Sequence, residues 1–258
     1  MQYSFYKYHG TGNDFILIDN RQYILKLDAQ QVAGLCDRHF GIGADGLMLL
    51  EEAAGYDFRM VYYNSDGNES TMCGNGGRCM TAFAHKLGLV NASANFIAID
   101  GQHTAEILQN GSVCLHMNDV NDMAFHDGYT ILNTGSPHYI LWVNDVENID
   151  VFTEGRAIRN QGRFQPSGIN VNFVERDGDI LHVRTYERGV EDETLSCGTG
   201  VTAAAIAAAG NNMGSFTTAI VTPGGNLEVS FTKDTAHAAK NVILTGPATF
   251  VFQGNVGI

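Results

Sequence analysis

The chain has 258 residues, of which 44% are apolar and four are prolines, so it is large enough to bury the core of one large or two small globular domains. Its formal net charge of −13 leaves no basic face for a phosphate backbone, which argues against nucleic-acid partners and anionic membranes. We therefore expect the partner to be a small molecule.

The beginning of the chain and its cysteine content predict a cytoplasmic protein. No stretch approaches the roughly 18 unbroken apolar residues that span a bilayer, and residues 1–14 are too polar for a signal-peptide core. Five cysteines, an odd number in a long chain, do not indicate a disulfide framework. In a reducing compartment they should stay thiols.

Short runs of β-branched and aromatic residues, mostly bounded by Gly, Asn and Asp, are typical of strands. Clear examples lie at residues 15–18, 113–116, 170–174 and 249–252. Two longer stretches are rich in helix formers, residues 78–87 and 201–209, and a glycine after each, Gly88 or Gly210, predicts the helix end. The second stretch is so small and apolar that we expect its helix to be buried.

The two halves of the chain repeat one pattern, Glu-x-x-x-Cys-Gly-x-Gly, at residues 69–76 and 193–200. A second echo, Thr-Gly-Asn at 11–13 and Thr-Gly-Ser at 134–136, is separated by almost the same number of positions. Two matched offsets favour duplication over chance similarity between glycine-rich turns, which recur widely.

This repeat predicts an α+β fold of two pseudo-symmetric duplicated lobes, each a strongly curved β-sheet or barrel wrapped around one central helix. We expect the first lobe at residues 1–116 with Cys73, and the second at residues 117–246 with Cys197. The closing strand, at about residues 247–258, is assigned to the first lobe. The N-termini of the two central helices are expected to face each other.

Cys73 and Cys197 each stand at the start of a predicted helix. There, unpaired N–H groups and the positive end of the helix dipole stabilise a thiolate, and the following glycines let the backbone approach a ligand. Inverting a stereocentre needs a base on one face of the carbon and an acid on the other, which a duplicated thiol pair provides. Oriented N–H donors also stabilise an enolate, so we expect neither a metal nor another cofactor.

Other interpretations of these motifs have weaker support. We interpret Cys36, Cys79 and Cys114 as small buried side chains, the usual fate of intracellular cysteine. Residues 41–46 formally match the dinucleotide-binding pattern, but the residues before them are not a hydrophobic strand. A metal site built from Cys73, Cys79 and histidines lacks the ligand spacing that such sites normally have.

Six segments of the sequence resemble the diaminopimelate epimerase family, in order along essentially the whole chain. They are residues 9–15 (HGTGNDF), 41–46 (GIGADG), 63–67 (YNSDG), 72–79 (MCGNGGRC), 186–189 (YERG) and 195–200 (LSCGTG). The resemblance implies a pyridoxal-independent interconversion of LL- and meso-2,6-diaminopimelate in the lysine and cell-wall pathway, with Cys73 and Cys197 as alternating acid and base. It also implies a diamino dicarboxylic acid as substrate and a homodimer.

The same resemblance assigns roles to further residues. Side chains that would hold the carboxylates and ammonium groups of the substrate are those of Asn13, Asn64, Asn170, Glu187 and Arg188. Backbone contacts would come from Gly74, Asn75, Gly198 and Thr199. His138 and Glu187 would tune the proton affinities of the two cysteines. Taken alone, a histidine after a proline is more often a packed or turn residue, and an arginine such as Arg188 is more often in a solvated ion pair.

Two positions depart from the commonest family pattern. Ser136 stands where an asparagine usually precedes Pro-His, and Gly46 stands where some members have glutamine; both positions touch substrate in the family. The nearest alternative is another enzyme of the same two-lobed fold, a proline racemase, a hydroxyproline epimerase or a phenazine-type isomerase, the last of which lacks the cysteine pair. A non-catalytic ligand-binding or redox-sensing relative is the alternative of a different class, in which the thiols would be dispensable for turnover or would cycle through a disulfide.

Overall fold

The first half of the chain forms eight strands and two helices in the computed structural model, which describes all residues from 1 to 258. The strands are β1 (Gln2–Gly10), β2 (Asn13–Asp19), β3 (Gly46–Glu51), β4 (Phe58–Asn64), β5 (Glu69–Ser70), β6 (Ser93–Ala98), β7 (Gly101–Ile107) and β8 (Val113–His116). The helices are α1 (Ala29–Cys36) and α2 (Gly74–Lys86).

The second half adds ten strands and two further helices. The strands are β9 (Met123–Phe125), β10 (Tyr129–Asn133), β11 (Pro137–Trp142), β12 (Asn170–Asp177), β13 (Ile180–Glu187), β14 (Asp192–Thr194), β15 (Gly214–Thr222), β16 (Gly225–Thr235), β17 (Ala238–Gly246) and β18 (Thr249–Gly257). The helices are α3 (Val151–Arg159) and α4 (Gly198–Ala208), and a single 3-10 turn covers Gly162–Phe164.

The chain divides into two compact units, one of residues 1–115 and 246–258 and one of residues 116–245. In the first unit, β1 lies between β18 and β2 and is antiparallel to both. Strand β2 pairs in parallel with β3, β3 pairs antiparallel with β4, and β4 pairs in parallel with β6. Strands β6, β7 and β8 continue as an antiparallel meander, and the short β5 pairs with β4.

The second unit repeats this order of pairings. Strand β10 lies antiparallel between β9 and β11, β11 pairs in parallel with β12, β12 antiparallel with β13, and β13 in parallel with β15. Strands β15, β16 and β17 form the meander, and the short β14 pairs with β13. The shared alternation of parallel and antiparallel steps confirms the predicted α+β fold with a duplicated plan.

Each unit buries one helix among its strands. Helix α2 packs against β1, β2, β3 and β7, and its residues from Gly74 to Thr81 are all buried. Helix α4 packs against β10, β11, β12, β13, β15 and β16, and it is buried on every face. A helix that is apolar all round has no side suited to water, and the small residues of α4 let strands approach closely from several directions.

The predicted strands and helices are present, and both helices extend further towards the N-terminus than the runs of helix formers at residues 78–87 and 201–209. The four apolar runs fall within β2, β8, β12 and β18, which confirms them as strands. The helices begin at Gly74 and Gly198 because the cysteine before each is the N-cap, as expected for cysteines at helix starts. The helices end before Gly88 and Gly210, whose φ angles of 74° and 55° suit glycine. No helix combines the length and apolarity needed to cross a bilayer.

Candidate active site

Cys73 is the N-cap of helix α2. Its backbone is extended, with φ at −102°, and the N–H group of Gly76 donates a hydrogen bond to Sγ at 3.1 Å. A Cβ atom on Gly76 would lie 2.5 Å from Met48 Cε and 3.0 Å from that sulfur, so the absence of a side chain allows the close packing at this helix start. The sulfur therefore occupies the place of a capping oxygen, where the helix dipole favours negative charge.

Cys197 is the N-cap of helix α4 and is 6% exposed. No backbone amide caps its sulfur, but Thr199 Oγ1 lies 3.5 Å from Sγ. A Cβ atom on Gly200 would overlap Asn172 Oδ1 and lie 3.3 Å from the Cβ of Cys197. The glycine is thus required because a strand side chain packs tightly against the start of this helix.

A series of hydrogen bonds runs from the buried residues Asn172 and His138 through Thr199 to Cys197. Asn172 Nδ2 donates to His138 Nδ1 at 3.1 Å, so the proton of a neutral His138 is on Nε2. His138 Nε2 in turn lies 2.9 Å from Thr199 Oγ1 and donates to it. With its oxygen engaged as an acceptor, the Thr199 hydroxyl is able to donate to Cys197 Sγ.

His138 is fully buried and neutral. Burial, and then the positive charge of Arg188, lower the pKa of His138 to about 3. Asn172 is itself held by Thr185, whose hydroxyl donates to Asn172 Oδ1 at 2.9 Å, and by the Tyr139 carbonyl oxygen, which accepts from Asn172 Nδ2 at 3.2 Å. These contacts fix the orientation of the Asn172 amide and with it the tautomer of the histidine.

Ser136, Asn170 and Arg188 form a polar cluster in the second unit. Asn170 Nδ2 donates to Ser136 Oγ at 2.7 Å, and the Arg188 backbone N–H donates to Asn170 Oδ1 at 2.8 Å. The Arg188 guanidinium donates to Ser136 Oγ at 3.4 Å and to the Ser167 carbonyl oxygen at 3.3 Å. Ser136, the departure from the family pattern, is therefore in contact with two residues predicted to bind substrate, and Arg188 contacts neutral oxygens.

Glu187 lies at the end of β13, one residue before Arg188. Its Oε2 accepts a hydrogen bond from Thr194 Oγ1 at 2.9 Å, and Thr194 belongs to the short strand β14 that leads towards Cys197. The carboxylate is half-buried. The paired strands β13 and β14 thus link Glu187, predicted to tune a cysteine pKa, to the segment that carries Cys197.

In the first unit, Asn13 and Asn75 are joined to an acidic residue. Asn75 Nδ2 donates to Asn13 Oδ1 at 3.3 Å, and Asn13 Nδ2 donates to Asp45 Oδ2 at 2.7 Å. Asp14 beside them pairs with Lys7 and Arg38. Burial alone would raise the pKa of Asp14, but hydrogen bonds and the charges of these two cations lower it to about 2.

Asn64 and Gly46 are directly opposite each other in the β3–β4 pairing. A Cβ atom on Gly46 would lie 2.6 Å from the Tyr62 ring and 2.7 Å from the Tyr63 carbonyl oxygen. No side chain fits without a shift of β4. The second departure from the family pattern is therefore fixed by the packing of β4, which leaves no room for a glutamine side chain at this position.

Cys36, Cys79 and the glycine-rich segment before β3 have structural surroundings, whereas Cys114, expected to be buried, is only half-buried. Burial raises the pKa of both Cys36 and Cys79 to about 12, so they remain thiols. Residues 41–45 follow helix α1 and lead into β3, the reverse of the strand-to-helix order of a dinucleotide site. No group of three or more His, Cys, Asp and Glu side chains is placed to hold a metal ion.

Several residues at these sites were missed by sequence reasoning. Asn172 is separated from Asn170 by one residue on β12, and side chains two apart lie on one face of a strand, a signal that could have found it. Thr11 and Asp45 lie inside the motifs at residues 9–15 and 41–46, but nothing in those motifs distinguishes them from their neighbours. Arg78 gave no separate signal, because nothing in a sequence shows that an arginine is fully buried.

Comparison with known sequences matches nearly the whole chain to one family. The sequence model described as diaminopimelate epimerase matches residues 5–122 and 130–251. A diaminopimelate epimerase of Flavobacterium psychrophilum is 52% identical over 254 residues, which cover 97% of this chain and 99% of the relative. Identity at this level over nearly the full length of both chains shows a shared family and not only a shared fold.

Comparison with solved structures gives more distant relatives. A phenazine biosynthesis protein of the PhzF family from Bacillus anthracis has a TM-score of 0.77 at 16% identity, with 100% of both chains covered. A hydroxyproline epimerase from Agrobacterium vitis, with bound trans-4-hydroxy-L-proline, has a TM-score of 0.70 at 15% identity, covering 99% of this chain and 92% of that one. At such identities the likeness shows the fold alone.

Proposed function

The chain belongs to the diaminopimelate epimerase family and is an epimerase, and we propose that it interconverts LL- and meso-2,6-diaminopimelate by a two-base transfer of the α-proton between Cys73 and Cys197. One observation carries this proposal. In each of two duplicated units, a cysteine is the N-cap of the buried helix and is followed by Gly-x-Gly.

In the proposed reaction, the thiolate of one cysteine removes the α-proton, and the thiol of the other delivers its own proton to the opposite face of the carbon. The C–H bond that breaks leaves its electron pair on an enolate, and the new C–H bond uses that pair. The cysteines exchange protonation states in each turnover. Helix N-terminal N–H groups stabilise the enolate charge, and the Thr199 hydroxyl stabilises a thiolate at Cys197.

Binding of a diamino dicarboxylic acid requires donors for two carboxylates and acceptors for ammonium groups. We assign a carboxylate to Arg188 with Asn170 and Ser136, because the planar guanidinium and amide are already oriented together. Glu187 is assigned to an ammonium group and to tuning the neighbouring thiol. Asn13 and Asn64 contribute polar contacts, and Gly74, Asn75 and Gly198 contribute backbone ones.

The thiols and the N–H donors supply the acid, the base and the enolate stabilisation that the reaction needs, so the proposal invokes no metal and no pyridoxal group. The product serves lysine and peptidoglycan precursor synthesis, and we place the protein in the cytoplasm, where reducing conditions keep both thiols active. Membership of the family supports these assignments.

We also propose that the chain forms a homodimer through strand β18. This strand pairs with β1, and its Phe250, Val251 and Phe252 are 39%, 51% and 45% exposed. Phe250 and Phe252 lie on one face of the strand and Val251 on the other, and exposed apolar side chains on both faces of a strand at the edge of the sheet favour pairing with a second copy of the same strand. Val251→Glu should shift the protein to monomer in light scattering; a dimer that survives this change would place the interface elsewhere.

Turnover of the purified protein with no added cofactor tests the reaction. We expect it to interconvert LL- and meso-diaminopimelate, to leave L-proline unchanged, and to lose at least about 1,000-fold of kcat in Cys73→Ser and in Cys197→Ser. Cys114→Ser is the matched control, since Cys114 lies on β8 outside the proposed site. Full activity in either site variant would contradict the two-base proposal, and turnover of proline alone would contradict the substrate.

A further inference from the structure

A fully buried arginine lies at the start of helix α2. Arg78 is 0% exposed, and its guanidinium donates to the carbonyl oxygens of Gly74 and Pro247 at 3.1 and 3.3 Å. It also donates to Asn75 Oδ1 at 3.0 Å and to Thr11 Oγ1 at 3.4 Å. All four acceptors are neutral oxygen atoms. The guanidinium thus has hydrogen-bond acceptors, but none of these acceptors carries a negative charge that would balance its positive charge.

This location is unfavourable for an unbalanced cation on two grounds. Removing a charge from water is costly unless an opposite charge accompanies it. Arg78 is also the fifth residue of α2, and its side chain extends back towards the helix N-terminus, the positive end of the dipole. Burial lowers the pKa of Arg78, yet a guanidinium stays protonated in proteins. An anion is therefore expected close to the first turn.

Two thiols neighbour Arg78 at the start of helix α2. Cys79 is the next residue, and Cys73 directly precedes Gly74, whose carbonyl oxygen accepts a hydrogen bond from Arg78 at 3.1 Å. Cys79 is fully buried, and burial raises its pKa to about 12, so it stays neutral at ordinary pH. Cys73 is half-buried and already accepts the N–H of Gly76. Of the two, Cys73 is the one whose surroundings suit an anion.

Titratable groups on the surrounding strands have partners of their own or are neutral. On β1, burial raises the pKa of Tyr8 to about 12. On β2, Asp14 is paired with Lys7 and Arg38. Beside β7, Asp100 Oδ1 lies 3.2 Å from His103 Nε2 and accepts the N–H of Met72. On β3, Glu51 accepts from the Asn20 amide. None of these carboxylates contacts Arg78.

The repeat provides an internal comparison. Arg78 is five residues after Cys73, and the residue five after Cys197 is Thr202. Thr202 is also fully buried, and its hydroxyl donates to the Gly198 carbonyl oxygen at 2.8 Å, as Arg78 does to that of Gly74. The two positions thus make the same local hydrogen bond, and only the first adds a charge. A neutral side chain at this position is therefore sufficient for the helix, and the positive charge is particular to the first unit.

We propose that Arg78 is the buried counter-ion of the Cys73 thiolate. It is a positioning residue without contact to substrate: its charge holds Cys73 ionised, while its fork fixes the Asn75 amide that points to Asn13. The proposal deepens the proposed function and rests on it for the use made of the thiolate. The thiolate itself is measurable without turnover.

The test is the pH dependence of iodoacetamide alkylation, resolved by peptide mass spectrometry, in the full-length protein and in Arg78→Met and Arg78→Lys. Methionine keeps an unbranched apolar stem without the charge, and lysine keeps the charge without the fork. We expect the midpoint for Cys73 to rise by about one pH unit or more in Arg78→Met and to stay near the wild-type value in Arg78→Lys. Cys197 in the same samples is the internal control and should not move.

An unchanged Cys73 midpoint in Arg78→Met, or equal shifts at both cysteines, would overturn the proposal. If Arg78→Met does not fold, the ultraviolet thiolate absorbance of the wild-type protein at neutral pH replaces it. Most of that absorbance should disappear in Cys73→Ser, and its persistence there would refute the counter-ion role. A shifted midpoint in a protein that does not turn over diaminopimelate would refute the proposed function and leave this inference standing.

Discussion

Replacing Thr199 with valine removes one hydroxyl and leaves the backbone of helix α4 in place. In the native protein this hydroxyl accepts from His138 Nε2 at 2.9 Å and lies 3.5 Å from Cys197 Sγ. A hydrogen bond to an ionised group contributes about 1.5–3 kcal/mol, and the long contact to sulfur favours the lower end. A loss of about 1.5 kcal/mol corresponds to about a tenfold lower kcat/KM.

The same substitution leaves the N–H group of His138 buried without an acceptor, which should lower the free energy of unfolding by about 1–3 kcal/mol. The assay is kcat/KM in both directions, together with urea unfolding. The kcat/KM values of the forward and reverse reactions should fall by the same factor, because the equilibrium constant between the isomers does not depend on the enzyme. Thr199→Ser keeps the hydroxyl and should stay within about threefold of wild type. Equal losses of kcat/KM in Thr199→Val and Thr199→Ser, or no loss in Thr199→Val, would refute the hydrogen-bond series.

Three further changes test other parts of the site. Ser136→Ala removes the oxygen that Asn170 contacts at 2.7 Å and should raise KM about tenfold with a smaller effect on kcat; a change in kcat alone would argue against a binding role. His138 has a pKa lowered from 6.5 to about 3, so below pH 6.5 the unfolded chain takes up a proton that the folded protein does not. Between pH 7.5 and 5 this should remove about 2 kcal/mol of the free energy of unfolding, and His138→Gln should show a correspondingly smaller loss in chemical denaturation. Gly46→Ala places a Cβ 2.6 Å from the Tyr62 ring and should destabilise the protein by about 1–3 kcal/mol in the same assay, whereas an unchanged midpoint would mean that β4 yields easily.

The duplication and the two helix starts could be predicted from the sequence because their signals are local. A cysteine followed by Gly-x-Gly marks a helix N-terminus within a few residues, and two copies of it mark a repeat. The runs of helix formers themselves begin only at Arg78 and Val201. The capping geometry shows that the glycines before them already belong to the helices.

Other parts of the site depend on contacts between segments that are distant in sequence. The orientation of His138 depends on Asn172 and on Thr185, which strand pairing alone brings together. The burial of Arg78 is likewise a tertiary property, since the residue is exposed or buried according to how β1 and the loop before β18 pack on α2. The sequence shows that Gly46 departs from the family pattern, but it does not show that the ring of Tyr62 occupies the space of a side chain there.

Deuterium partition tests the two-base account most directly. LL-diaminopimelate is incubated with the enzyme in deuterium oxide, and early in the reaction the deuterium at the α-carbon is measured in the meso product and in the remaining LL isomer. A thiolate that removes the substrate proton holds that one proton and returns it on reversal, whereas the other thiol carries deuterium from solvent. The account predicts deuterated product and nearly unlabelled substrate. Product that retains the original hydrogen, or substrate labelled as fast as product, would contradict it.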